Sequence, residues 1–320
     1  MSPVLRVLEA GPNLTIQDSG RIGWRRFGVS AAGAMDLESY RLGNLLVGND
    51  PNEAALEFAF AGGTWEVAAD SCRVAVTGGD FAVRIDDAQA LPWRGYVLSR
   101  GQRVRIEGAR DAVWGYVAVA GGFALGARLG SHATHTRSGL GHFAGRCLAA
   151  GDEVPLRLAR APDGPDRRAT APPARPPAPI RVVLGPQDDN FAAETIALFL
   201  GTAWTVSHRG DRMGIWLEGP KLGHSRGHDV VSDGVLPGCI QIPGSGQPIV
   251  LARDCQTMGG YPKLATIVSA DLSRFFQTGP GRPVRFRAVD IETAQRGYRD
   301  HRARQDSVAS EMEPLPGGAR

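Results

Sequence analysis

A mainly β chain, built as two β-rich modules with a few short helices, is the fold class this sequence predicts. Three observations carry the prediction. Short runs alternate apolar and polar residues between glycine-rich turns, the period-2 pattern of strands that bury one face. Helical spacing of apolar residues is confined to isolated segments. A stretch at 160–179, RAPDGPDRRATAPPARPPAP, is too rich in proline, arginine and alanine to pack, and reads as an extended linker. The expected layout is a β-rich module over 1–159, the linker over 160–179, a β-barrel module over 180–290, and a terminal arm with a disordered tail over 291–320.

Along the first module the strands are WEVAAD at 65–70, CRVAVTGG at 72–79, FAVRID at 81–86 and WGYVAVAGG at 114–122. One helix interrupts them, MDLESYRLGNLLVG, in which Leu42, Leu45 and Leu46 recur at helical spacing and Gly48 with Asn49 supplies the stop. The second module opens with the strand IRVVLGP and the helix DDNFAAETIALFLG, with Asp188 or Asp189 as the expected cap and Gly201 as the end. TVSHR, GIWLEG, CIQIP, PIVLAR, ATIVSA and PVRFRAV then read as strands. SGRIGWRRFG at 19–28 and GDRMGIWLEG at 210–219 share Arg, Gly and Gly at one spacing, a faint internal echo.

Composition removes several function classes. With 42% hydrophobic and 22% charged residues the chain is of globular type, and no apolar run approaches the roughly 18 residues that span a bilayer. The N-terminus lacks the basic start and apolar core of a secretory signal, so a cytoplasmic location is expected. The net charge of +3 is spread without basic blocks, which argues against nucleic acid. Cys72, Cys147, Cys239 and Cys255 have neither metal-ligand nor disulfide-framework spacing and read as reduced thiols. His224 and His228 stand four apart, but Gly223 and Gly227 put them in a loop, so no metal is expected. Phosphate-loop, dinucleotide, serine-elbow and biotin-acceptor patterns are absent from the sequence, so no cofactor is bound by a motif in this chain.

Lysine use is the sharpest compositional signal. Of 36 basic residues, two are lysine, Lys221 and Lys263. Lysine is a compact donor whose proton affinity responds to burial, and its survival in an arginine-rich chain marks chemistry a guanidinium does not perform. Lys221 sits in an ordinary turn, GPKLG. Lys263 ends DCQTMGGYPK, where an acid, an amide, a hydroxyl, a phenol and a lysine surround a glycine pair. The candidate site is therefore the region from His208 to Lys263, densest at 232–265, with Lys263 and Asp254 as catalytic residues. In that reading Lys263 stabilises an oxyanion or holds a carboxylate, and Asp254 orients it or acts as a base. In the first module QDSGR at 17–21 and LGSHATHTRSGLGHFAGR at 129–146 have similar polar, glycine-rich character and suggest a second site or a partner-facing loop.

At these residues the chain resembles the KipA-like proteins, also called allophanate hydrolase subunit 2-like proteins, one of the component types of bacterial 5-oxoprolinase. The resemblance rests on TIQDSGR, GAMD, LGNLLVGN, AALE, VAGG, GLGHFAGR and GDEVPL in the first half. In the second half it rests on GPQDD, DRMG, LEGP, SDGVLPGCIQIPGSGQPIVLARDCQT, GGYPK and SADL. It implies cyclophilin-like β-barrel modules and a subunit of an ATP-dependent 5-oxoprolinase-type complex that opens 5-oxoproline to glutamate. The implied partners are a KipI-like, subunit 1-like protein and a lactam-utilisation subunit, with ATP reaching the complex through them. An alternative is the carboxyltransferase module of urea carboxylase, working with biotin on a separate carrier; another is a regulatory protein that binds a KipI-like partner. Carried over residue by residue, the resemblance implies a polar site of Arg212, Gln241, Asp254, Gln256, Thr257, Tyr261 and Lys263, and the glycine pair Gly259 and Gly260, read from the loop itself, completes the expected substrate-binding set. Asp18, Arg21, His132, Thr134 and Arg146 fall in the first-module motifs. The sequence departs from the family pattern at GSHATH, 130–135, where His132 and Ala133 replace arginine and serine, at Cys255 in place of arginine, and at Met258 in place of threonine.

Overall fold

In the computed structural model, which describes residues 2–307 and 312–315, the chain is mainly β and forms two compact units. Their division differs from the expected succession. One unit holds the chain up to Arg21, Ala32–Ala174 and the described residues from Gln305; the other holds Ile22–Ala31 and Arg175–Arg304. The proline-rich stretch is not a free linker. Arg167–Ala169 pairs antiparallel with Met312–Pro314, and Arg73, itself buried, holds Asp166 at 3.2 Å. Ion pairs and a two-strand ladder offset the low packing capacity of the composition, which the sequence reading did not anticipate. The expected disordered tail lies partly outside the described residues; within them Ile291–Ser307 is helical and Met312–Pro314 extended.

In the first unit two antiparallel sheets face each other. One runs in the order Glu153–Pro155, Val4–Ala10, Gly63–Val67, Arg103–Ala109, Phe81–Ile85, Ala88–Ala90, the other Thr15–Gln17, Ala55–Ala59, Trp114–Val119, Ser71–Thr77, Gly95–Ser99. Alternate residues of both fill one core, including Val7, Trp65, Val83 and Ile106 from the first and Leu56, Phe58, Val76 and Val117 from the second. The expected helix forms at Leu37–Leu46. Asp36 caps it by accepting from the Glu38 and Ser39 amides, and Leu42 and Leu46 are buried.

The second unit is a nearly closed barrel. Its sheet runs Pro283–Val284, Trp204–Gly210, Gly214–Glu218, Ile249–Leu251, Cys239–Gln241, Lys263–Ile267, Ile180–Leu184, Phe286–Ala288. The two outermost strands are separated in sequence by Arg285 alone, so one stretch of chain supplies both edges and leaves little open edge to pair elsewhere. The helix Ala193–Gly201 docks through Phe199, whose ring stacks on Phe286 at 4.9 Å and lies 6.0 Å from that of Trp204. Neither Asp188 nor Asp189 caps this helix: Asp188–Asn190 forms a separate 3-10 turn, buried Phe191 is extended, and Ala192 occupies the cap position without a side-chain bond.

Asp271 pins the strand Ile180–Leu184. It accepts from the Arg181 amide at 2.8 Å and from the Arg181 guanidinium at 2.7 and 3.1 Å, and Arg274 adds a bond at 3.1 Å. Burial raises the carboxyl's pKa, but the Arg181 bonds and the charges of Arg274 and Arg181 outweigh it, leaving the group below its ordinary value. Asp271→Asn is expected to cost about 3 kcal/mol at neutral pH, because two guanidinium groups lose their counter-charge. A depressed carboxyl stabilises the fold fully above its unfolded pKa and loses that contribution as pH falls through the folded one. Melts of wild type and variant are therefore expected to converge toward acid pH, and a gap of equal size at acid and neutral pH would refute the assignment.

Candidate functional site

Lys263 opens the strand Lys263–Ile267 and is 1% exposed. Its neighbour across the ladder is Gln241, and the register shifts between Ile240 and Gln241. A bulge of this kind breaks strict alternation and re-aims side chains locally. Here it falls where Gln241, 2% exposed, meets Lys263. Lysine scarcity pointed to Lys263 and the family resemblance to Gln241; the register shift where they meet has no sequence signature.

The lysine's counter-charge was not anticipated. Its Nζ donates to Asp233 Oδ2 at 2.9 Å, and among the described residues this is its hydrogen-bond partner, which leaves further ammonium N–H donors for a ligand. The bond to Lys263, followed by the Gly234 amide, holds the Asp233 carboxyl below its ordinary pKa. Asp233 lies on a two-residue strand, Asp233–Gly234, paired with Met258–Gly259. Gln187 braces the arrangement: its Oε1 accepts from the Lys263 amide at 3.1 Å and its Nε2 lies 3.4 Å from Asp233 Oδ2. Nothing local in sequence marks Asp233 or Gln187 as partners of Lys263. Asp233 sits in the dense stretch already singled out, and Gln187 in the GPQDD motif.

Asp254 does not orient Lys263. It forms a two-bond pair with Arg212, Nε to Oδ2 at 2.9 Å and Nη2 to Oδ1 at 2.8 Å, with both side chains buried. The register explains the meeting: Gly214 faces Leu251 in adjacent strands, and just beyond the ladder the Asp254 amide donates to Arg212 O at 2.7 Å. Asp211 takes the turn role instead, accepting from the Met213 and Gly214 amides. A bidentate buried pair of this kind fixes a loop more readily than it exchanges protons.

Gly259 is where the amide side chains converge. A Cβ there would lie 2.6 Å from Gln241 Nε2, 3.1 Å from Val235 Cγ1 and 3.5 Å from Gln256 Nε2. A side chain there would push the Gln241 amide out of this position. Gly260 lies beside Val230 and Ser232, and its carbonyl accepts from the Val230 amide at 2.8 Å. Thr257 contributes a carbonyl that accepts from the Val235 amide at 3.1 Å, and Tyr261 is exposed with its carbonyl 3.4 Å from Gln241 Nε2. Lys263, Gln241, Gln256 and Gly259 thus form one group, with Arg212 and Asp254 holding the start of the loop. The arrangement offers a cation and neutral amide donors to a carbonyl or carboxylate oxygen. His224 is structural: its Nε2 lies 2.9 Å from Ile242 O. Cys255 is buried, and burial pushes its thiol up to about 11, away from nucleophilic use.

The first-unit motifs gather a separate polar cluster. Asp18 accepts from Gly20 N, Ser131 Oγ and His132 N, while Arg21, fully buried, donates to Ala133 O and Arg128 O. The Thr134 carbonyl accepts from Gln17. His142, which the sequence reading did not single out, lies with its Nε2 3.4 Å from His132 Nδ1. Burial, then the charges of His132, Arg128 and Arg21, hold its pKa below the ordinary value. Arg146 does not join this cluster; it pairs with Asp152 at 2.6 and 2.7 Å at the surface. Among the described residues, no group of three or more His, Cys, Asp or Glu is placed to hold a metal ion, and no helix is long and apolar enough to cross a membrane.

Comparison with known proteins adds the following. A family model described as carboxyltransferase domain, subdomain A and B, matches residues 27–288. The chain is 34% identical over 308 residues to a 5-oxoprolinase subunit of Escherichia coli (strain K12), covering 96% of this chain and 98% of that protein. It is 28% identical over 316 residues to urea amidolyase of Lachancea kluyveri, covering 90% of this chain and 17% of that protein. The solved structure of K. lactis urea amidolyase matches with a TM-score of 0.86 at 27% identity, over 96% of this chain and 20% of that one.

The buried ammonium gives a test that needs no assay of activity. Asp233→Asn removes the counter-charge of a group 1% exposed and is expected to lower the melting temperature. Adding Lys263→Met removes the stranded charge and is expected to recover much of the loss. Additive losses in the double variant would show that the two side chains are not coupled.

Proposed function

Because the chain belongs to the carboxyltransferase family of subdomains A and B, we propose that it is a non-autonomous enzyme subunit and holds the substrate-facing site of a 5-oxoprolinase-type complex. The observation that carries the reading is the buried Lys263 ammonium, with donors to spare, beside the Gln241 and Gln256 amides at Gly259. A lactam presents a carbonyl next to an N–H. Lys263 binds the carbonyl oxygen and stabilises the negative charge that grows on it, and a side-chain amide matches the lactam edge. Ring opening breaks the C–N bond; water supplies a hydroxyl to the acyl carbon, forming the carboxyl group, and its other proton to the ring nitrogen, which leaves as an amine. ATP hydrolysis drives the step and is assigned to partner subunits, a KipI-like protein and a lactam-utilisation subunit, acting together in the cytoplasm.

A second reading is favoured by the urea amidolyase likeness. In it the same donors receive the ureido group of a biotin carried on another chain. Carboxybiotin, when bound, supplies an activated carboxyl group; Lys263 and the two glutamines suit its carbonyl and carboxylate oxygens.

Native co-purification with an assay for ATP-dependent glutamate release from 5-oxoproline decides between them. Under the leading reading a partner co-elutes with that activity, and Lys263→Met lowers kcat/KM by roughly 100-fold or more while the partner still binds. Loss of activity on adding avidin would move the assignment to the carboxyltransferase. Elution of the chain alone would sink the subunit reading altogether.

A further inference from the structure

Residues 22–31 belong to the second unit although first-unit chain flanks them on both sides. They carry a short 3-10 turn, Arg25–Phe27, and its first side chain reaches the site's supporting loops. Arg25 Nη2 donates to Val235 O and, at 2.9 Å, to Gln256 O, and lies 3.9 Å from Cys255 Sγ. Val235 directly follows the strand Asp233–Gly234, and Gln256 stands two residues before Met258–Gly259. One guanidinium therefore joins the two arms of the ribbon that carries Asp233.

That ribbon is slight. Its ladder pairs Asp233 with Gly259 and Gly234 with Met258, continued by Val235 N to Thr257 O at 3.1 Å, and Asp233, Leu236 and Met258 are all exposed. A two-residue exposed ladder buries little and opens at small cost. Yet two site elements depend on it: the Asp233 carboxylate on Lys263 and the placement of Gln256 beside Gly259. Ser30, from the same segment, adds a weaker tie, its Oγ 3.5 Å from Arg253 O.

We infer that Arg25 is a positioning residue, a clamp that holds the Asp233 ribbon closed over Lys263. It acts through the ribbon and does not touch the reacting atoms. Its importance for turnover rests on the function proposed above; its effect on Lys263 does not. Arginine suits the role because its flat, permanently charged fork bonds two carbonyls from one stem, where a lysine at this position offers a point charge.

The two lysines of the chain supply the measurement. In the full-length protein, acetylation by N-hydroxysuccinimidyl acetate is followed at Lys263 and at exposed Lys221 by peptide mass, with Lys221 as the internal reference. Arg25→Ala is expected to raise the Lys263-to-Lys221 rate ratio by about 10-fold, as the ribbon opens more often. Guanidinium chloride at about 10 mM, far below denaturing levels, is expected to bring the ratio back toward wild type, with urea at the same concentration inert. Arg25→Lys, which keeps the charge in case the alanine variant folds poorly, is expected to raise the ratio by a smaller factor. In the assembled complex Arg25→Ala should lower kcat more than it raises KM, with the same guanidinium rescue. An unchanged labelling ratio in both variants overturns the clamp, and wild-type turnover in a variant whose Lys263 is freely labelled overturns its positioning role in turnover. If wild-type protein shows no turnover of 5-oxoproline while the labelling responds and is rescued, the functional reading fails and the clamp stands.

Discussion

An ammonium group held at 1% exposure inside a β-barrel is the constraint around which the second unit is arranged. Removing a charge from water costs several kcal/mol unless partners replace the lost hydration. Asp233 supplies one oxygen, and its own carboxylate is half exposed, so the pair sits at the boundary between barrel interior and solvent. The bulge at Gln241, the brace from Gln187 and the glycine at 259 follow from that need. Each opens or fixes space around one Nζ without filling its remaining donor positions.

The second ion pair solves a different problem. Arg212 and Asp254 are both buried and consume each other's strongest bonds, so neither is free to follow a substrate. Their value lies in fixing where the strand Ile249–Leu251 ends and where the loop toward Gln256 begins. A neutral turn would leave that loop free to slide, whereas breaking a buried pair carries a penalty of about 3–5 kcal/mol. The two pairs thus differ in kind: one is dry, the other partly wet.

How much of this was legible in the sequence depends on the distance over which each signal acts. Strand and helix positions were, because alternation and spacing are local: CRVAVTGG, WGYVAVAGG and the helix after Asp36 all form where patterning puts them. Lys263 was visible through scarcity, a property of the whole composition. Its partners were not, since Asp233 lies 30 residues away and Gln187 76, and only the barrel's strand order joins them. Asp254 was placed beside Lys263 on closeness in sequence, and the register gave it to Arg212 instead. The helix cap failed similarly, because buried Phe191 imposes extended chain after Asp189. The proline-rich stretch misled because composition reports what a segment cannot bury, not which surface will accept it; Asp166 and Arg168 are held by ion pairs to Arg73 and Glu313.

The assignment of residues 22–31 to the second unit changes what counts as a module in this chain. The backbone passes between units at Arg21, Ala31, Ala174 and Arg304, so neither unit is a continuous half of the sequence. Arg25 bonds to Val235 across 210 residues of chain, a contact whose loop-closure entropy must be met before it contributes anything. Other packing has to bring the segment home before this contact can contribute. A ribbon held by few bonds is drawn from the low end of the local stability range, where opening is easiest. Under the proposed function, in which Lys263 excludes water yet admits a carbonyl, a slight ribbon over a barrel sheet reconciles the two demands.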